Sequence, residues 1–335
     1  MNPANSSRTH TSSTLPRAHY RLLELLYSSW PEPGLGGARV VAACSGGCDS
    51  MALLELLALA SAQCDCRVTA AYVDHGLRPE ARDEAAFVGR RARQLGLEFK
   101  SLTIDDPGRG DEDHLRNCRY RLLEQVRIEA NAEWIATAHT RDDQTETIIF
   151  RLLRGAGLGG LAGIPSRRGH IVRPILGAGR EELEGFLRDR AVTWVEDPSN
   201  RDQRYARNRI RHEIIPAIKK AFGSGGLDHL PDVALRWQID EDFLTAETRR
   251  HAAFALRQGK KGLELDLGAL AKAPAALQPR ILRYWLAGAG GPDPPSIAQL
   301  QSLEKLLDRP RQLSGVDLPG ARVVVKNGRL HLLSR

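Results

Sequence analysis

The stretch Val40-Val41-Ala42-Ala43-Cys44-Ser45-Gly46-Gly47-Cys48-Asp49-Ser50 decides the fold. An apolar run ends in Ser-Gly-Gly-x-Asp-Ser, and an apolar helical pattern over residues 50–62 begins at once. Glycine lets a backbone come close to a phosphate. The first N–H groups of a helix have no intrahelical partner and lie at the positive end of its dipole. Ser45, Gly46, Gly47, Cys48, Asp49 and Ser50 therefore read as a phosphate cradle, with the two serine hydroxyls as added donors. Asp49 would repel a bare phosphate, so its expected role is to hold Mg²⁺ against the phosphates. The Walker loop is excluded, because it needs a lysine and the first lysine of the chain is Lys100.

On both sides of this stretch the pattern alternates. Leu22, Leu23, Leu25 and Leu26 give a helix over residues 18–30. Strands are expected at residues 39–44, 68–73, 98–104 and 134–138, and helices at 50–62, 80–95, 112–131 and 141–154. Such alternation implies βαβ units and a doubly wound, Rossmann-like α/β fold with a parallel sheet, whose ligands sit at the carboxyl ends of the strands. The fold domain is expected over residues 18–222, after a disordered tail at 1–17. A glycine-rich loop covers residues 155–163. Residues 223–226 read as a hinge. Residues 227–335 form a smaller C-terminal α+β module, with helices at 230–257, 276–287 and 296–308 and β-like runs over 312–333.

Four further segments carry chemistry. Val73-Asp74-His75-Gly76-Leu77-Arg78 ends the second strand. His139-Thr140-Arg141-Asp142-Asp143-Gln144-Thr145-Glu146-Thr147 follows the fourth, and Arg151-Leu152-Leu153-Arg154-Gly155-Ala156-Gly157-Leu158-Gly159-Gly160-Leu161-Ala162-Gly163-Ile164 comes next. Glu196-Asp197-Pro198-Ser199-Asn200 precedes Tyr205-Ala206-Arg207-Asn208-Arg209-Ile210-Arg211. The loop itself resembles the PP-loop of N-type ATP pyrophosphatases, which split ATP between its α and β phosphates. In order and spacing the whole set, over residues 20–220, resembles the tRNA(Ile)-lysidine synthases.

That resemblance implies an ATP-dependent ligase. Such an enzyme adenylates the C2 oxygen of the wobble cytidine in the tRNA(Ile) with a CAU anticodon. Free L-lysine then displaces AMP to give lysidine. The implied cofactors are ATP and Mg²⁺, with Asp74 and His75 joining the loop in nucleotide binding. The implied partners are that tRNA and L-lysine; a homodimer is compatible with it. Lysine is cationic, with an ε-amine pKa near ~10.4, so its pocket wants acids. Asp143 and Glu146 share a helix face and are expected to hold lysine beside His139, with Arg116 on its carboxylate. Asp49, Asp143 and Glu146 are the catalytic candidates, and Asp49 and Asp143 the metal candidates. A plainer reading stands beside this one, in which Thr140 is an N-cap and Asp142 and Asp143 merely suit the helix dipole.

The chain of 335 residues carries a net charge of +7. Residues 201–220 hold seven basic and two acidic side chains, a net of +5. Arg204, Arg207 and Arg211 recur at helical spacing, and with Arg209 they are expected to contact RNA phosphates. Five cysteines without a CxxC pair suggest a reduced, cytoplasmic chain. They also disfavour a PP-loop tRNA thiolase of the 2-thiocytidine type, the alternative enzyme. A non-catalytic RNA-binding protein on the same fold is the alternative outside enzymes. No apolar run reaches the ~18 residues of a membrane span.

Overall fold

The computed structural model describes residues 17–77, 80–108, 112–196, 206–259, 262–291, 297–308 and 315–334. Residues 1–16 of the tail expected at 1–17, residues 197–200 of the Glu196 motif, and Arg204 lie outside these, while Arg17, the last residue of that expected tail, opens a helix. The chain divides into two compact units, with the boundary between Leu235 and Arg236.

The first unit runs α1 (Arg17–Ser28), β1 (Arg39–Ala43), α2 (Cys48–Cys64), β2 (Arg67–Asp74), α3 (Ala81–Gln94), β3 (Glu98–Thr103), α4 (Glu112–Glu129), β4 (Trp134–Ala136) and α5 (Arg141–Leu153). It continues through α6 (Leu158–Leu161), β5 (Arg167–Arg168), β6 (Ile171–Val172), α7 (Arg180–Asp189), α8 (Ala206–Arg209), a π-helical turn (Ile210–Ile214) and α9 (Ile215–Phe222). A 3₁₀ turn (Ser224–Leu227) then leads into α10 (Leu230–Ala255).

The strand order is β3-β2-β1-β4-β6-β5, parallel except for the antiparallel β5. β1 is central. Val40 pairs with Val68 on one side and Trp134 on the other. Val40, Val41 and Ala42 are all buried, as a parallel sheet covered on both faces requires. α2 is apolar nearly all round, with Met51, Ala52, Leu53, Leu54, Leu56 and Leu57 fully buried, the signature of a core helix.

One charge lies inside that helix. Glu55 is fully buried and bridges Arg91 of α3 (2.5 Å) and Arg190, just past α7 (3.1 Å). The two guanidiniums offset the desolvation of the carboxylate and fasten three helices together.

The glycine-rich loop expected at 155–163 is pinned against α5. Arg151 donates to the carbonyls of Gly160 (2.9 Å) and Gly163 (2.8 Å), and the Gln144 amide pairs with both backbone groups of Ile164. Gly163 has φ +70°, and a Cβ there would lie 2.3 Å from Gln144 Oε1, so a larger residue would strain the backbone and push the Gln144 amide off Ile164. This loop also contains α6, which had not been expected.

The second unit completes α10 and continues with β7 (Leu256–Gly259), β8 (Gly262–Asp266), α11 (Leu267–Ala271), α12 (Gln278–Gly288), α13 (Ile297–Asp308), β9 (Gly315–Leu318), β10 (Ala321–Lys326) and β11 (Arg329–Ser334). Its antiparallel sheet has the order β7-β8-β11-β10-β9. The sheet packs on Trp285, Leu282 and Ile281 of α12, all fully buried, and the Trp285 indole N–H donates to the Leu263 carbonyl at 2.8 Å. Among the described residues, no helix is long and apolar enough to cross a membrane.

Glu55→Ala should lower the unfolding free energy by about 3 kcal/mol, because it strands two partly buried guanidiniums. Glu184→Ala, which breaks the more exposed helical pairs with Arg180 and Arg188, should cost about 1 kcal/mol. Urea denaturation of both variants checks this, and similar costs would remove the special standing of Glu55.

Candidate active site

In an open α/β sheet the crevice lies where the strand order reverses. Here that is between β1 and β4, and the loops leaving the two strands carry Ser45–Ser50 and His139–Glu146. Segments ninety residues apart in the chain are thereby set side by side.

The β1–α2 loop is built for an anion. Gly46 has φ +86°, a left-handed conformation that glycine adopts at little cost. Its carbonyl accepts from the Val195 N–H at 2.9 Å. Gly47 is the N-cap of α2, and no side chain caps the helix, so the first-turn N–H groups remain available. Ser50 had been expected to donate outward. Instead it is 7% exposed, accepts from the Ser45 N–H (3.1 Å) and donates to the Gly47 carbonyl (2.9 Å). It braces the loop, and Ser45 is the hydroxyl placed for a ligand. The Cys48 thiol is buried and pushed up to about 12, chiefly by burial and then by Asp49. Its part in the cradle is therefore that of backbone.

Asp49 opens α2. Burial, and next the charge of Asp143, push its carboxyl up to about 6 against the pull of Arg180 and Arg211. Its Oδ1 is buried without a partner. An orphaned carboxylate oxygen facing a second carboxylate fits a divalent cation. No group of three or more His, Cys, Asp or Glu side chains that could hold a metal occurs among the described residues.

The first-turn acids of α5 cap helices, and Asp143 and Glu146 also face a cation. Thr140 caps α5: its hydroxyl accepts from the Asp143 N–H (3.3 Å), and Asp143 Oδ2 accepts from the Thr140 N–H (2.9 Å). Asp142 accepts from the Arg180 N–H at 2.8 Å and so caps α7. Yet Asp143 Oδ1 also lies 3.6 Å from Arg211, and Glu146, 5% exposed, accepts from Arg211 Nε at 2.5 Å. Burial pushes the Glu146 carboxyl up, outweighing its Arg211 hydrogen bond. Among the described residues, none donates a hydrogen bond to Glu146 Oε2.

Arg211 thus leaves the RNA-facing stripe expected of it. The stripe supposed an unbroken α-helix, but a π turn spans Ile210–Ile214 and turns Arg211 onto the acids. Arg207 and Arg209 remain exposed. Asp74 closes its strand by accepting from the Gly76 N–H at 2.7 Å, and His75 follows it, half-buried. His139 is held neutral, its pKa drawn down to about 3 by burial and then by Arg173, Arg119, Arg116 and Arg207. It belongs electrostatically to these arginines, Arg116 among them, while Thr137 meets its Nδ1 at 3.0 Å. Arg119, Tyr120, Arg173 and Arg180 were not foreseen. The strand-end rule could have found Arg173, had β6 been recognised as a strand.

Residues 16–218 match the PP-loop domain family, and residues 265–331 match the TilS substrate binding domain. A tRNA(Ile)-lysidine synthase of Thermobifida fusca is 35% identical, over 88% of this chain and 90% of its own length. One from Salinispora tropica is 36% identical, over 90% and 91%.

The chain belongs to the tRNA(Ile)-lysidine synthase family.

Lysidine synthases differ in length: the chain spans only 64% of a Symbiobacterium thermophilum relative to which it is 38% identical. A U34-tRNA thiolase from Methanococcus maripaludis superposes with a TM-score of 0.56 at 16% identity, over 65% of this chain and 78% of that one. At that identity the likeness shows the fold alone. As the family's PP-loop domain implies, this is an ATP-dependent enzyme.

The raised Asp49 pKa has a stability consequence. An unfolded aspartate titrates near ~3.9 and the folded one near about 6. Between these values the native state holds the extra proton, so the contribution of Asp49 to stability falls as pH rises through that window. Asp49→Asn should therefore be more stable than wild type at about pH 7.5, by up to ~2 kcal/mol, with a correspondingly higher melting temperature, and match it near pH 4. Melting curves without nucleotide or metal decide this; a variant no more stable at the higher pH would show that the ionised carboxylate is not strained.

Proposed function

We propose that the chain ligates L-lysine to C2 of the wobble cytidine of the tRNA(Ile) with a CAU anticodon. The base is first adenylated by ATP with release of pyrophosphate, and AMP is then displaced by the lysine ε-amine. One observation carries this reading: the Asp143–Glu146 pair beside the phosphate loop already holds a cation, the Arg211 guanidinium, and Glu146 has a second oxygen with no hydrogen-bond donor among the described residues.

The residues divide the work by charge. The first-turn N–H groups of α2 and Ser45 receive the phosphates. Asp49 and Asp143 would hold Mg²⁺ with those phosphates; when bound, it neutralises charge on the departing pyrophosphate. Glu146 Oε2 receives the lysine ammonium. Because burial raises the pKa of Glu146, this carboxylate is also a better proton acceptor than an exposed one when the amine must lose a proton to attack. Asp74 and His75 lie at the β2 end of the nucleotide crevice. Arg207 and Arg209 are exposed for tRNA phosphates, as the match of residues 265–331 implies for the second unit.

Mass spectrometry of tRNA incubated with ATP and lysine tests the reaction itself. A base mass unchanged while pyrophosphate is released would sink the assignment. Glu146→Gln then tests the site. Adenylation should persist, because the phosphates are held elsewhere. Lysine transfer at low lysine should fall about 10- to 100-fold, the loss of a charge-assisted hydrogen bond. High lysine restores the rate if Glu146 binds, and does not if it takes the proton. Transfer at the wild-type rate at low lysine would displace lysine from this acid.

A further inference from the structure

The acid pair that the proposed reaction gives to an ammonium already serves a cation of the protein itself. Arg211 Nε lies 2.5 Å from Glu146 Oε1, and Arg211 Nη2 lies 3.6 Å from Asp143 Oδ1. An amine arriving at the second Glu146 oxygen would stand beside this guanidinium. Two positive charges at such range repel each other, the more so away from bulk water.

Arg211 is held differently from the other arginines on a buried acid. Glu55, fully buried, has one guanidinium on each oxygen, Arg91 on one and Arg190 on the other. Glu146 has only Arg211, which it shares with Asp143. The field on Arg211 reaches further still. Burial works against its charge, but Glu146, Asp143 and then Asp49 outweigh burial and hold its pKa up. Asp49 lies in the first turn of α2, so one guanidinium stands in the field of both the α5 acids and the phosphate loop. Its backbone is anchored through the neighbouring Ile210, seated with Ile149 and Leu227. Its side chain is 27% exposed. Three methylenes separate that seat from the charge, so the head can swing while the π turn stays packed.

A polyphosphate on the loop changes the balance. Guanidinium–phosphate pairs are charge-assisted and bidentate, and a triphosphate carries more negative charge than two carboxylates that share one cation. A guanidinium drawn to it leaves Glu146 buried without a partner, which is costly until another cation arrives.

We propose that Arg211 is a shared counter-cation, which occupies Glu146 and Asp143 until a nucleotide polyphosphate on the Ser45–Ser50 loop draws it off, so that the acid pair takes an ammonium tightly only after nucleotide has bound. The lysine half of this rests on the reading of Asp143 and Glu146 as the ammonium site. Arg211 is then a positioning residue that sets the order of binding. It also times the proton acceptor: burial pushes the Glu146 carboxyl up and Arg211 pulls it down, so the withdrawal of Arg211 makes Glu146 more basic when nucleotide is present.

The test is calorimetric titration of the full-length protein with L-lysine and with the Mg²⁺ complex of α,β-methylene-ATP, which cannot be split between its α and β phosphates. In wild type, the analogue should tighten lysine binding about 10- to 100-fold, and lysine should tighten the analogue by the same factor. In Arg211→Gln, lysine without nucleotide should bind about as tightly as it does to wild type with the analogue, and the coupling factor should fall toward one. A second arm needs no lysine. Glu146→Gln loosens the hold on Arg211 and should tighten the analogue about 10-fold, and this gain should vanish when Arg211 is already Gln. Persistence of the gain in the double variant would mark plain charge repulsion and overturn the sharing of Arg211, as would unchanged analogue affinity in Glu146→Gln. A wild-type coupling that Arg211→Gln retains would overturn it too. If lysine binding ignores nucleotide, Arg211 and Glu146 alike while the second arm succeeds, lysine has been misplaced and the sharing of Arg211 stands.

Discussion

Everything at the site depends on one topological constraint: β1 and β4 are parallel neighbours at the point where strand order reverses. The helix that follows β1 and the helix that follows β4 both start at the same edge of the sheet, so two helix N-termini face one crevice. A helix N-terminus attracts negative charge, whether from a ligand phosphate or from a protein carboxylate. This chain has a place for both. The start of α2 is left uncapped by any side chain, and the start of α5 is crowded with Asp142, Asp143 and Glu146. Asp143 caps its helix through one carboxylate oxygen and turns the other toward Arg211, so capping leaves it an oxygen for the role proposed.

The crevice is also sorted by sign. Toward β1 lie Asp49 and the α5 acids; toward β6 lie Arg116, Arg119 and Arg173. Grouping like charges in a half-buried place is unfavourable by itself, and at Asp49 and His139 it adds strain to the burial that is the first cause of their shifted pKa values. Such strain is expected where a protein must bind a ligand whose own charges are divided. The cost is met by a rigid frame, in which Glu55 fastens α2 to its neighbours and Gln144 and Arg151 fix the loop after α5.

Much of this was legible in the chain. β1, α2, β2, α3, β3, α4 and α5 fall within a few residues of the strands and helices read from periodicity, because each is long enough to show its period or ends in a sharp turn. The phosphate loop and the α5 acids were visible for the same reason: each sits at a junction between two strong patterns. β5 and β6 were not, since a two-residue strand has no period. With β6 went the meaning of Arg173. β7 and β8 were missed because Leu256–Asp266 is short and interrupted by glycine. The role of Arg211 was unreadable for another reason. Counting three and four along an α-helix places it with Arg207, and nothing in the residue types announces that the helix changes its winding at Ile210.

That change of winding fixes phase. Successive residues of an α-helix are rotated by about 100°, so a helix continued regularly from α8 would carry the side chains beyond Ile210 round to a different direction. The π turn takes up the surplus locally. It lets Ile210 stay buried against Ile149 and Leu227 while Ile214, Ile215 and Ile218 pack on the same cluster, and it lets Arg211 reach across to Glu146. Shortening the turn by one residue would force a choice between the apolar seat and the ion pair. The irregular winding is thus a spacer of one residue, and through it the packing of α9 sets the aim of a guanidinium in the crevice.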